Sequence, residues 1–153
     1  MDWGELVESE RIKNEQGDII ALDLSELTLG TLLPRISQLS ALTKLNLRHN
    51  QLRTLPAEIG QLTNLTKLYI PGNYLQALPA EIGQLTALTK LNVWNNELQI
   101  LPREIVQLNS LITLDIGGNL LHNLPSEISQ LKMLTHLTSH TIFWKLFRWR
   151  LVS

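Results

Sequence analysis

Residues 65–75 read LTKLYIPGNYL, and the same pattern recurs at 42–52 (LTKLNLRHNQL), 88–98 (LTKLNVWNNEL) and 111–121 (LITLDIGGNLL). All four obey L-x-x-L-x-L-x-x-N-x-L, and their asparagines, Asn50, Asn73, Asn96 and Asn119, fall 23 residues apart. A strict period in this range means one supersecondary unit per repeat. Within the unit that opens at Leu42, the positions Leu42, Leu45, Leu47, Leu52, Leu55, Ile59 and Leu62 are apolar. The alternation at Leu45 and Leu47 is that of a short strand, with Lys44, Asn46 and Arg48 on its other face. One unit cannot cover its own leucines, so neighbouring units must stack and bury them in a continuous core.

The asparagine stands where the chain turns out of the strand. Its amide carries donors and an acceptor, and a column of such residues can satisfy turn backbone buried between coils. The column Asn50, Asn73, Asn96 and Asn119 is therefore read as structural. Further on, Leu-Pro-x-Glu-Ile recurs with Pro56/Glu58, Pro79/Glu81, Pro102/Glu104 and Pro125/Glu127. Proline suits the first position of a short helix, and the glutamate suits its positive end. These carboxylates stand one per coil with no histidine or cysteine beside them, so they are read as caps and not as a metal or acid–base site. Gly60 and Gly83 are followed in register by Val106 and Ser129, so a positive φ is not expected there.

The fold expected is an α/β solenoid of the leucine-rich-repeat type. It is a right-handed superhelix with a concave parallel sheet and convex short helices or turns. Residues 19–138 form about five repeats and a degenerate sixth start. Ile19 to Ala41 keeps the apolar offsets, although Leu27 replaces the asparagine and Leu33 the proline. Residues 1–18 are expected to form a helical cap, with Asp2 capping a stripe of Trp3, Leu6 and Val7 that Gln16-Gly17-Asp18 ends. Residues 139–153 are atypical: Ser139 and Ile142 replace a leucine and the asparagine, and FWKLFRWRLVS follows. Three readings stand for this tail. It could cap the last coil, or be the altered end of a longer repeat array, truncated or frameshifted. It could also touch an anionic membrane through Trp144, Arg148, Trp149 and Arg150.

Composition narrows the function. The formal net charge is −1, with 13 basic and 14 acidic residues and no cysteine, which excludes a disulfide framework, a thiolate zinc site and a cysteine nucleophile. The acidic opening MDWGELVESERIK lacks a signal-peptide core, and no run approaches the roughly 20 apolar residues of a membrane span. The expectation is a cytoplasmic protein, and the Asn64-Leu65-Thr66 sequon then carries no weight. His136 and His140 lie about 13 Å apart on extended chain, too far for one ion. No nucleophile, base and orienting group converge, so neither catalysis nor a metal or other cofactor is expected. The body has no net positive charge, so a nucleic-acid partner is not expected either.

The stretches LPAEIGQLTNLTKLYI (55–70) and LPAEIGQLTALTKLNV (78–93) resemble cytoplasmic leucine-rich repeats of bacterial, especially cyanobacterial, proteins. They are also similar to Ras-binding eukaryotic scaffolds and plant intracellular Ras-group proteins. ALDLSELTLGTLLPRISQL (21–39) resembles the first repeat after a helical cap in the bacterial members. The resemblance covers about residues 19–138. It implies a solenoid with protein binding on its concave sheet, alone or joined to a Roco-type GTPase or kinase domain. GxxxxGK[ST] is absent, and Gly117-Gly118-Asn119 is only a repeat turn.

Strand side chains facing away from the core line up about 5 Å apart in three columns. They are Ala21/Lys44/Lys67/Lys90/Thr113/His136, then Asp23/Asn46/Tyr69/Asn92/Asp115/Thr138, then Ser25/Arg48/Pro71/Trp94/Gly117/His140. The candidate partner-binding residues are Lys44, Arg48, Lys67, Tyr69, Lys90, Asn92 and Trp94. Tryptophan, tyrosine and arginine are enriched at interface hot spots, and Arg48, Tyr69 and Trp94 differ from unit to unit. The lysines favour a partner with an acidic surface, although duplication of an LTKL unit alone would also preserve them. The reading is a monomeric interaction module that binds another protein. Its alternatives are a regulatory fragment or paralogue of a Roco-type GTPase or kinase protein, and membrane attachment through the tail.

Overall fold

The computed structural model describes residues 11–139. Among these residues seven strands form one sheet in chain order: β1 (Arg11–Lys13), β2 (Ile19–Asp23), β3 (Lys44–Asn46), β4 (Lys67–Tyr69), β5 (Lys90–Asn92), β6 (Thr113–Asp115) and β7 (His136–Thr138). From β2 to β7 every pair is parallel and exactly one repeat out of step, as in Lys44↔Lys67↔Lys90. Five 3-10 helices, Pro34–Gln38, Ala57–Gln61, Ala80–Gln84, Arg103–Gln107 and Ser126–Gln130, return the chain on the opposite side. The molecule is a leucine-rich-repeat solenoid with its sheet on the concave face.

The core follows the repeat offsets. Leu45, Leu68, Leu91 and Leu114 are fully buried, as are Ile59, Ile82 and Ile105 on the helical side. Removing these side chains from water is the main force holding coil to coil. The series ends at Leu137, the same offset in β7, which is 37% exposed. Polar groups form a second stacking device. The hydroxyls of Thr43, Thr66 and Thr89 donate to the carbonyls of Ile20, Thr43 and Thr66, at 2.8, 2.9 and 3.0 Å. Ile112 has no hydroxyl to continue this row, and it is 39% exposed.

Two details differ from expectation. Of the helical cap expected over 1–18, residues 1–10 lie outside the described residues, and the rest is not helical. Arg11–Lys13 pairs antiparallel with β2. The Asn14–Asp18 segment is its hairpin turn, closed by Asp18 N–H on Asn14 Oδ1 at 2.8 Å and carried by Gly17 at φ 88°. The physical reason is the free edge of β2, whose backbone groups a strand satisfies and a helix cannot.

Pro56, Pro79, Pro102 and Pro125 precede their helices as N-caps, not as first helical residues. The Pro56 carbonyl accepts the first i→i+3 bond, from Ile59 N–H at 3.1 Å. Gly60 and Gly83 have ordinary φ, yet they are needed for close approach. A Cβ at Gly83 would sit 2.5 Å from the Glu104 carbonyl oxygen. Where Val106 takes this position, the next helix packs less closely on its neighbour.

Candidate functional site

The asparagine column is the frame that holds the strand face. Asn50, Asn73, Asn96 and Asn119 are 2–6% exposed. Asn73 shows the scheme: its Nδ2 donates to the carbonyls of Leu47 and Ile70, at 3.0 and 3.2 Å, and its Oδ1 accepts from Leu52 N–H at 3.0 Å. Each amide thus ties its own turn to the preceding coil. The residue before each asparagine is left-handed: His49 (φ 51°), Gly72 (66°), Asn95 (54°) and Gly118 (66°), with Glu26 (61°) before Leu27. This positive-φ column was missed on sequence, where the glycines of the helical side drew the question. Gly72, Asn95 and Gly118 were its signal.

The first two exposed columns stand in register across the sheet: Ala21, Lys44, Lys67, Lys90, Thr113 and His136, beside Asp23, Asn46, Tyr69, Asn92, Asp115 and Thr138. The second column has a structural duty. Asp23, Asn46, Asn92 and Asp115 each accept a bond from the backbone N–H two residues on, at Ser25 (3.0 Å), Arg48 (3.2 Å), Trp94 (2.9 Å) and Gly117 (3.3 Å). These are side-chain turns of the Asx kind. Tyr69 breaks the row, and the residue two on is Pro71, which has no N–H to satisfy. Proline at 71 removes the need for an acceptor at 69. Both residues were readable in the sequence, but their coupling required the turn geometry.

Tyr69 is half-buried among the lysines. Lys44 Nζ lies 6.0 Å from the ring centroid and Lys90 Nζ 5.5 Å. Contacts at this range are weak individually, about 0.5–1 kcal/mol at exposed sites, but they fix the two ammonium groups on either side of one ring. Arg48 is less free than its sequence suggests, because its guanidinium bonds Glu26 Oε1 at 3.0 Å. Both partners are exposed, so the pair orients Arg48 more than it stabilises the fold.

Trp94 is 42% exposed. It lies with Arg48, His49, Pro71, Asn92, Asp115 and Thr138 around an open depression of about 380 Å³. At the N-terminal edge of the face, burial pushes the Asp23 carboxyl up. The hydrogen bonds from the Ser25 hydroxyl and amide and from Asn46, with the charge of Lys44, together outweigh it and hold the pKa below the usual 3.8.

The structure therefore brings Lys44, Lys67, Tyr69, Lys90 and Asn92 onto adjoining strands, and Arg48 and Trp94 onto the turns just beyond. Asn92 has a turn to hold as well as a face to present. His136 lies on β7, whereas His140 and the candidate membrane residues Trp144, Arg148, Trp149 and Arg150 lie outside the described residues. Among the described residues no group of three or more histidine, cysteine or acidic side chains could hold a metal ion, and no helix is long and apolar enough to cross a membrane.

Comparison with known proteins agrees with this architecture. Residues 21–75 match the leucine rich repeat family. The fold is similar to an LRR protein of Leptospira interrogans, at 41% identity and TM-score 0.75, covering 79% of this chain and 32% of that one. It is similar to a plant peptide hormone receptor, RGFR1, in complex with RGF2, at 29% identity and TM-score 0.73, over 90% of this chain and 25% of that one. The LRR ectodomain of the receptor kinase SOBIR1 from Arabidopsis thaliana matches at 26% identity and TM-score 0.70, over 85% of this chain and 77% of that one. The chain spans less than a third of the length of the first two. No curated protein matches it.

Proposed function

We propose that this leucine-rich-repeat protein is a non-catalytic interaction module that binds a partner protein on its concave strand face. The observation that carries the reading is Tyr69. Its column neighbours Asn46 and Asn92 each hold a turn, whereas Tyr69 accepts no turn N–H and Pro71 makes none necessary. A large aromatic released from structural work, set between two lysines and one coil from an exposed tryptophan, is what a recognition surface needs. A rigid sheet that presents such side chains at fixed spacing binds with little reordering cost. The lysines favour an acidic partner surface. That a structural relative is a receptor in complex with RGF2 adds to the case for a protein ligand.

The test is affinity capture from the source cell with the wild-type chain and an Arg48→Ala/Tyr69→Ala/Trp94→Ala variant. Circular dichroism first establishes that the variant is folded. A protein retained by the wild type and lost from the variant is the expected result. Identical capture by both would sink the concave-face reading. A regulatory role beside a GTPase or kinase domain is the second reading, and the likeness to a receptor-kinase ectodomain is what favours it.

A further inference from the structure

The concave face is not uniformly charged. Lys44, Lys67 and Lys90 stand on three consecutive strands, so their backbone positions span about 10 Å. Beyond them in the same column come Ala21 and Thr113, and the adjoining column carries Asp23 next to Lys44's strand and Asp115 next to Lys90's. Both carboxylates already accept bonds from the following turn, which keeps them on this face. The cationic track thus begins and ends within three coils, with an acid at each end. A nucleic-acid backbone, whose charges continue along its length, would run into Asp23 or Asp115. A short anionic stretch would not.

Two features refine the match. Tyr69 lies at the middle of the track and holds Lys44 and Lys90 over its ring, while Lys67 makes no cation–π contact of this kind among the described residues. The depression at Pro71 and Trp94 opens just past the same strands, within about four residues of extended chain, or 13 Å, from Lys90. It has an exposed indole wall. Pro71 and the indole give the depression its apolar wall, and Arg48, His49, Asn92, Asp115 and Thr138 complete its polar rim.

Resting on the concave-face reading above, we propose that the specific ligand is an acidic peptide segment of the partner protein. Its aspartate or glutamate carboxylates lie over Lys44, Lys67 and Lys90. A large apolar side chain about four extended residues away enters the depression beside Trp94. The carboxylates set the on-rate and register, and the apolar anchor sets the residence time.

The test uses the full chain and an array of fluorescein-labelled decapeptides. They carry two or three glutamates followed at varied spacing by leucine or phenylalanine, and affinities are read by polarisation at 50 mM and 300 mM salt. Matched peptides carry lysine for glutamate, serine for the apolar residue, or phosphoserine for glutamate, and a DNA oligonucleotide is included. The acidic–apolar peptides are expected to bind at least tenfold tighter than the charge-reversed set and to weaken with salt. Lys67→Glu is expected to lose at least fivefold. Trp94→Ala is expected to abolish the preference for an apolar residue while keeping the preference for acid.

The proposal is overturned if no peptide binds, if lysine peptides bind equally, or if the phosphoserine peptides or DNA bind best. Capture of a cellular partner that is lost in the Arg48→Ala/Tyr69→Ala/Trp94→Ala variant but undiminished in Lys44→Glu/Lys67→Glu/Lys90→Glu would overturn the acidic ligand alone. The concave-face reading would then stand.

Discussion

Asn46 and Asn50 are the same residue type four positions apart, and they obey different rules. Asn50 is buried, and its amide bonds backbone in two coils, including the Leu24 carbonyl at 2.7 Å and Leu29 N–H at 2.9 Å. Its column reads asparagine in four successive coils, because the amide supplies both a donor and an acceptor to a dry site. Asn46 lies half-buried on the strand face and holds one turn N–H. Aspartate does the same job at 23 and 115, and tyrosine enters at 69 once Pro71 removes the N–H. Repetition in the first column reports a structural demand, whereas variation in the second reports where the demand has been lifted. Function is legible in the second because the first is so constrained.

The comparison is broken most severely by Asn73→Ala. It strands Leu52 N–H, whose acceptor is Asn73 Oδ1, and removes one of the two side-chain amides on the Leu47 carbonyl. A buried donor left unpaired makes the expected loss about 2–4 kcal/mol, read as a lower denaturation midpoint. A loss below about 1 kcal/mol would mean that the column is replaceable and its repetition uninformative. Gly83→Ala comes next. Its Cβ would meet backbone, the Glu104 carbonyl, so the helices must part, at a cost of about 1–3 kcal/mol. Val106→Ala, at the same offset in a coil already spaced for a side chain, should cost less.

The contrast within the strand-face column is finer. Asn92→Ala removes the acceptor of Trp94 N–H and is expected to destabilise by about 1 kcal/mol. Tyr69→Phe keeps the ring and its lysine contacts, removes no hydrogen bond to the turn, and should stay within about 0.5 kcal/mol of the wild type. Equal destabilisation by the two substitutions would show that Tyr69 has a structural duty after all.

Much of this was legible in the chain before any coordinates. A fixed 23-residue period sets both the apolar offsets and the facing columns, because strand alternation leaves no freedom once the register is known. The strand at Arg11–Lys13 was not legible. Its reason for existing is the free edge of β2, whereas the local pattern of Trp3, Leu6 and Val7 pointed to a helix. The requirement for glycine at 60 and 83 depends on the distance between adjacent helices, which no single unit encodes. The Arg48–Glu26 pair joins residues 22 apart and tempers the charge that sequence assigned to this face. At Tyr69 and Pro71 both residues were visible, but knowing where the turn N–H points was needed to connect them.

The smallest effect tests whether the N-terminal member of the strand-face column is held by the same turn chemistry. The Asp23 carboxyl is opposed by burial but accepts bonds from Ser25 Oγ at 2.6 Å, Ser25 N–H at 3.0 Å and Asn46 Nδ2 at 3.0 Å. Its folded pKa lies below the ordinary 3.8. In the folded state the charged form is thus favoured more than in the unfolded chain. The stability it contributes is fully present above the unfolded value and disappears as pH falls through the folded one. Urea midpoints of the wild type and Asp23→Asn should therefore differ by a constant amount from about pH 5 to 8 and draw together as pH falls below the ordinary 3.8. Asparagine can still accept from Ser25 but not from Asn46 Nδ2, and it carries no charge to titrate, so the pH-dependent part of the difference reports the ionisation. A difference that stays constant down to pH 2.5 would show that Asp23 serves its turn by shape alone and that its charge adds nothing to this end of the face.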